Sequence, residues 1–164
     1  MTNQPFTHMD SSGQARMVDV TAKTPSVREA TATGFVRCGR TVIDALRDAS
    51  VPKGDVLAVA RVAGIQGAKR TAELLPLAHV IGVHGATVDL DITDAGVRVT
   101  ATVRTADRTG VEMEALTAVS VAALAVVDMV KGIDRSVEIG GIKLLAKSGG
   151  RSGDWTRDHD GERP

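Results

Sequence analysis

The chain has 164 residues, 43% of them hydrophobic, with acids and bases balanced at 20 each. That is enough for one globular domain with its own core, and the balance excludes a general nucleic-acid or membrane-surface binder, whose footprint is a basic excess. Phe6, Phe35 and Trp155 are the only aromatics, too few for base stacking, and the single cysteine, Cys38, rules out an internal disulfide framework and a cysteine-based metal cluster.

Residues 1–15 are polar and rich in Ser, Thr, Gln and Gly, so they read as a flexible N-terminal arm. They carry no apolar stretch before a cleavage site, and a cytoplasmic location is expected. Residues 16–155 form one compact domain, and 156–164 a charged flexible tail. A Thr/Ala/Val/Phe run from Arg28 to Val36 suits a strand; Thr41 to Ala49 has helical spacing through Val42, Ala45 and Leu46. Pro52 and Gly54 punctuate. A second helix is expected over about 55–75, weakened by Gly64 and Gly67 and closed by Pro76.

Ala86 to Thr93 and Val97 to Thr105 alternate with period two about Asp94, Ala95 and Gly96. Val88, Leu90 and Ile92 face one side of the first run, and Val97, Val99, Ala101 and Val103 one side of the second, which makes a hairpin. A long helix over 109–132 and a last strand from Ser136 to Leu145 complete the order. Strand, helix, helix, strand, strand, helix, strand predicts an α+β fold, a ferredoxin-like antiparallel sheet with helices packed on one face. An open sheet face and edge favour oligomerisation.

The long helix is the most informative element. TGVEMEALTAVSVAALAVVDMVKG has Glu112 and Glu114 at its entrance, Asp128 and Lys131 at its exit, and Gly132 as a stop. It is apolar all round, hence buried on most sides, and its uninterrupted apolar stretch is shorter than a bilayer span. At about 100° per residue, Glu114 and Asp128 return to within roughly 40° of each other around the helix, while a rise of about 1.5 Å per residue parts them by roughly 21 Å. They share a face but cannot grip one small molecule together. If both serve one reaction, a second chain must bring one helix end to the other, most simply in an isologous dimer. Otherwise Glu114 and Lys131 merely complement the helix dipole, a role that Asp128, an acid near a C-terminus, does not fit.

Two further segments carry charge beside flexible backbone. One runs from Lys53, Gly54 and Asp55 through Arg61, Lys69 and Arg70 to LPLAH at 75–79; the other is KSGGRSGD at 147–154. Glycine-rich loops let amides approach a phosphate, yet neither segment has the Walker spacing and no GxGxxG is present. The pKa class of His79 suits acid, base or donor work, and His8 and His84 lack metal-ligand spacing. The Lys23, Thr24 and Arg28 cluster after MVDV suits either an anion site or solvated surface, and by itself reads as surface.

Together these segments resemble the MoaC family, the cyclic pyranopterin monophosphate synthases of molybdenum-cofactor biosynthesis. The resemblance runs through THMD at 7–10, MVDVTAK at 17–23, VREA at 27–30, KGDVLAVARVAGIQGAKRTAELLPLAH at 53–79, DRTGVEMEALTAVSVAAL at 107–124, DMVK at 128–131 and LLAKSGGRSGDW at 144–155. It implies a ferredoxin-like subunit in a homohexamer, a trimer of dimers with active sites at subunit interfaces. It further implies a phosphorus–oxygen lyase acting on 3',8-cyclo-7,8-dihydroguanosine 5'-triphosphate, which a radical S-adenosylmethionine enzyme makes from GTP. The products are cyclic pyranopterin monophosphate and pyrophosphate.

By position in the motifs, the resemblance makes Asp128 the general acid/base and Lys131 its catalytic neighbour, with Lys53 beside them. Leu77, Ala78, His79, Glu112, Met113 and Glu114 fall on substrate-contacting positions; Arg28, Lys69 and Lys147, like Lys53, fall on basic, phosphate-handling ones. No resident cofactor or metal is implied, although a divalent cation such as magnesium is compatible with the triphosphate. The chain departs from the family at Ala78 and Val80, where Cys and often Pro are usual, so no thiol acts there. The other reading is a non-catalytic oligomeric paralogue that binds a nucleotide or pterin.

Overall fold

The computed structural model describes residues 12–158. His8, His159, THMD and most of the expected N-terminal arm lie outside the described residues. The elements are β1 (Ser26–Arg37), α1 (Arg40–Arg47), α2 (Val56–Lys69), α3 (Thr71–Leu74), β2 (Gly85–Thr93), β3 (Gly96–Asp107), α4 (Glu112–Val130), β4 (Glu138–Ser148) and β5 (Trp155–Thr156). The sheet has the order β2-β3-β1-β4-β5, every neighbouring pair antiparallel, with α2 and α4 packed against it. The expected α+β architecture is the one that forms.

Alternation along the strands sets the core. Ala30, Ala32, Gly34 and Val36 of β1 stand opposite Val103, Ala101, Val99 and Val97 of β3, and Val88 and Leu90 of β2 extend the same apolar face. All of these apolar side chains are buried. The opposite face carries Thr31, Thr33, Thr100, Thr102 and charged residues, as a half-solvated antiparallel sheet should. The hairpin turns at Asp94 and Ala95 as the alternation requires, with Gly96 at φ 148.

Small residues let the layers approach. A Cβ on Gly34 would sit 2.7 Å from Val119 Cγ1, and one on Gly64 would sit 2.9 Å from the Ala118 carbonyl oxygen. On Gly67 it would sit 2.8 Å from Val121 Cγ2. Gly64 and Gly67 therefore do not weaken α2 so much as seat it on α4. For Gly64→Ala, an overpacking cost of about 1–3 kcal/mol against backbone exceeds the about 1 kcal/mol gained in helix propensity. A lower urea midpoint is the expected result, and an unchanged or higher one would show that α2 slides away without cost.

Two expectations are corrected and a third is upheld. The single helix over 55–75 is two: α2 ends at Lys69, and α3 adds one turn after Arg70. Thr71 Oγ1 donates to the Ala68 and Gly67 carbonyls at 3.0 and 3.4 Å, diverting acceptors from the helical ladder. The first residues after Trp155 are also held: Thr156 pairs with Ala146, and Arg157 Nε donates to the Leu144 carbonyl at 2.7 Å. Arg157 also lies over the Trp155 ring, which holds a segment that composition alone reads as loose. Finally, α4 is long and apolar enough to cross a membrane by length and composition. Packing identifies it as a core helix: Ala115, Ala118, Val119, Ala122, Ala123 and Val126 are fully buried against α2 and the sheet. An apolar stripe with Met113 and Leu124 is left exposed.

Candidate active site

The short connection after β3 places the first turn of α4 beside the loop that follows α3. That loop is fixed to the end of β3: Thr105 Oγ1 donates to the Gly82 carbonyl at 2.6 Å, and the Ala106 amide donates to His84 Nδ1 at 3.3 Å. His84 is thus a loop anchor. Ala78 donates its amide to the Leu75 carbonyl at 3.0 Å, while Val80 is 90% exposed.

Between loop and helix lies an open cavity of about 340 Å³, lined by Val18, Val20, Lys23, Leu77, Ala78, His79, Thr109, Gly110, Glu112, Met113 and Glu114. Its volume falls in the range of small-molecule sites, about 300–1,000 Å³. All six residues expected on substrate-contacting positions from Leu77 to Glu114 therefore meet in one place. Lys147 joins them from β4, its Nζ 4.0 Å from Glu112 Oε1 and hydrogen-bonded to Ser152 Oγ. Lys69 lies behind, in a smaller cavity that shares His79 and Glu114.

The two glutamates differ in environment. Glu114 is only 4% exposed, and burial pushes its carboxyl up to about 6, with the charge of Glu112 adding to the rise and its own backbone amide and His79 opposing it. Such an acid carries a proton close to neutral pH and can both give and take one. His79 Nε2 lies 2.6 Å from the Val18 carbonyl oxygen, which can only accept. Nε2 therefore carries a proton and donates it to that carbonyl.

At the opposite end of α4, Asp128 sits between two ammonium groups. Lys131 Nζ contacts its Oδ1 at 2.7 Å and Lys53 Nζ its Oδ2 at 3.1 Å, and hydrogen bonds from Lys131 and then Lys53 hold its carboxyl below the usual range. Lys53 also donates to the Asp128 carbonyl oxygen at 2.7 Å, satisfying one of the orphan acceptors of the last helical turn. The acid misplaced against the helix dipole is thus compensated by two cations. All three side chains are roughly half exposed.

Arg28, expected among the phosphate-handling groups, bonds to the backbone of the β3–α4 connection. Its Nε donates to the Asp107 carbonyl at 3.0 Å and its Nη2 to the Arg108 carbonyl at 3.3 Å, and the guanidinium lies against Gly150, where a Cβ would collide with it. It brackets the β3–α4 connection to the β4–β5 loop. Within that loop the Gly149 amide donates to Asp154 Oδ1 at 3.0 Å, so a carboxylate already occupies an amide that a phosphate would want. Among the described residues no group of three His, Cys, Asp or Glu side chains is placed to hold a metal ion.

A sequence model of the MoaC family matches residues 17–150. The chain belongs to the MoaC family. It is 58% identical over 152 residues to a protein of Streptomyces coelicolor named cyclic pyranopterin monophosphate synthase, covering 93% of this chain and 89% of the relative. A Nocardioides protein of the same name is 55% identical over 162 residues, 96% of this chain and 99% of the relative. One from Chloroflexus aggregans is 53% identical over 155 residues, 93% and 94% of the two chains.

Residue-by-residue reading of this MoaC-family chain missed one side of the cavity. Val18, Val20, Lys23, Thr109 and Gly110 line it, although Lys23 reads as surface in isolation. The signals were the MVDVTAK and DRTG segments, whose short apolar and glycine positions suit a wall but have no periodicity to announce one.

Proposed function

We propose that this chain is a lyase of molybdenum-cofactor biosynthesis that converts 3',8-cyclo-7,8-dihydroguanosine 5'-triphosphate to cyclic pyranopterin monophosphate and pyrophosphate. The observation that carries this reading is identity of 53–58% to cyclic pyranopterin monophosphate synthases over more than nine-tenths of the chain. The site chemistry supports it. Rebuilding the purine-derived ring needs repeated proton transfers, and the protein has an acid pushed up to about 6 by burial and a second whose carboxyl two lysines hold below the usual range. Closing the cyclic phosphate requires a substrate hydroxyl to attack the innermost phosphorus while pyrophosphate leaves, so cations must take up charge on the phosphates.

In this proposal Glu112, Met113, Glu114 and Leu77 to His79 hold the base-derived rings, Asp128 moves protons, and Lys53, Lys131 and Lys147 stabilise the phosphates. Lys69 adds positive field behind His79, and Arg28 supports loops. The two groups of residues stand at opposite ends of α4, so the cavity of one protomer is completed by Lys53, Asp128 and Lys131 of another. The exposed apolar stripe with Met113 and Leu124 is a surface on which such pairing can form, within a homohexamer built as a trimer of dimers. No resident cofactor is required, a magnesium ion would arrive with the triphosphate, and the enzyme works in the cytoplasm.

Incubation with the cyclised GTP intermediate, following pyrophosphate and pterin product, tests the reading. Wild type is expected to turn over and Asp128→Asn to bind without turnover. Binding without turnover by the wild type would instead make the chain a non-catalytic nucleotide-binding module.

A further inference from the structure

The cavity is acidic on its helix side, where Glu112 and Glu114 line it, and its only Lys or Arg among the described lining residues is Lys23. A triphosphate approaching those carboxylates needs a nearby cation. Of the neighbouring basic groups, Arg28 bonds to the Asp107 and Arg108 carbonyls, and Lys147 bonds to Ser152 beside Glu112. Among the described residues the ammonium of Lys23 has no partner.

The backbone that carries Lys23 is nonetheless held in place. The Val18 carbonyl accepts from His79 Nε2 at 2.6 Å, and the Lys23 carbonyl accepts from Arg108 Nε at 2.9 Å. Between these ties Asp19 Oδ1 accepts from the Thr21 amide and hydroxyl at 2.8 and 2.6 Å, and the Lys23 amide donates to the Val20 carbonyl at 3.0 Å. A segment that packs little of its own surface is thus folded into a defined turn and tied at both ends to elements that build the cavity.

We infer that residues 18–23 form a substrate-binding wall, that Lys23 contacts the phosphate-bearing part of the ligand, and that Arg108 is a positioning residue that holds Lys23 there. The inference rests on the nucleotide reading of this site and deepens it. A solvated surface lysine would make no such contact.

The test is calorimetric titration of the full chain with GTP as a triphosphate probe and guanosine as the same base and sugar without phosphates. Lys23→Gln is expected to weaken GTP about 10- to 100-fold, the size of a lost hydrogen bond to a charged group, while leaving guanosine unchanged. Lys23→Arg should recover most of the affinity, and Arg108→Ala should lose part of it, again only for GTP. Equal GTP affinity in wild type and Lys23→Gln overturns the inference, as does an equal loss for GTP and guanosine, which would mark collapse of the wall, or an absence of GTP binding by the wild type. Turnover of the cyclised intermediate by the wild type together with such a result leaves the lyase reading standing. A phosphate-selective loss with no wild-type turnover upholds Lys23 and sinks the lyase.

Discussion

Two inactive variants, Asp128→Asn and Glu114→Gln, are expected to regain about one quarter of wild-type activity when mixed one to one and co-assembled, by random pairing across an isologous interface. Each alone loses an acid/base group and should fall by about 10²–10⁴ in turnover. The recovery follows from the rod between them. Glu114 is in the first turn of α4 and Asp128 in the last, roughly 21 Å apart along a helix that rises about 1.5 Å per residue. If a site takes Glu114 from one chain and Asp128 from the next, half of the chains supplying each residue are intact, and one site in about four has both. If each chain instead built its site alone, every site would lack one acid. A mixture no more active than either parent would therefore end the shared-site reading, whatever the oligomeric state. Tagging the two variants differently and isolating the mixed species sharpens the expectation, because a mixed dimer has one intact site and one doubly defective site.

The geometry behind this expectation was legible before any coordinates. Alternation at Val88, Leu90, Val97, Val99, Ala101 and Val103 announces a hairpin because a strand has period two, and the register carries it out residue for residue. The ends of α4 were legible for the same kind of reason, since helical rise and rotation are nearly invariant. What stayed hidden depends on contacts between segments distant in sequence. Gly64 and Gly67 look like helix breakers until α4 is laid against them, and β5 has no signal beyond Trp155, because its order comes from pairing with β4 and from Arg157 reaching the Leu144 carbonyl. The wall from Val18 to Lys23 belongs to the same class. Arg28 shows the converse: its residue type fits a phosphate, but two of its donors hold backbone carbonyls of the β3–α4 connection.

Glu114→Gln should also be more stable than the wild type above neutral pH while losing activity. The wild-type carboxyl titrates at about 6 in the fold against an ordinary value of 4.5, chiefly because burial penalises its charged form. Between these values the native state binds more protons than the unfolded chain, so stability falls as pH rises from about 4.5 to about 6 and then levels off. A rise of about 1.5 units corresponds to about 2 kcal/mol at neutral pH and above, an upper figure because the cavity is open to water. Glutamine has the same shape without the charge, so that cost disappears, less whatever the lost hydrogen bond contributes. Urea midpoints should therefore coincide near pH 4.5 and separate by pH 8 in favour of the variant. A variant less stable at pH 8 would show that the ionised carboxylate is better satisfied than its burial indicates. Stability gained where activity is lost is the signature of an acid kept for chemistry. Asp128 has the complementary setting, since Lys131 and Lys53 hold its carboxyl ionised. The fold thus displaces its two acids in opposite directions, and bringing them together across an interface would supply a proton donor and a proton acceptor at one pH.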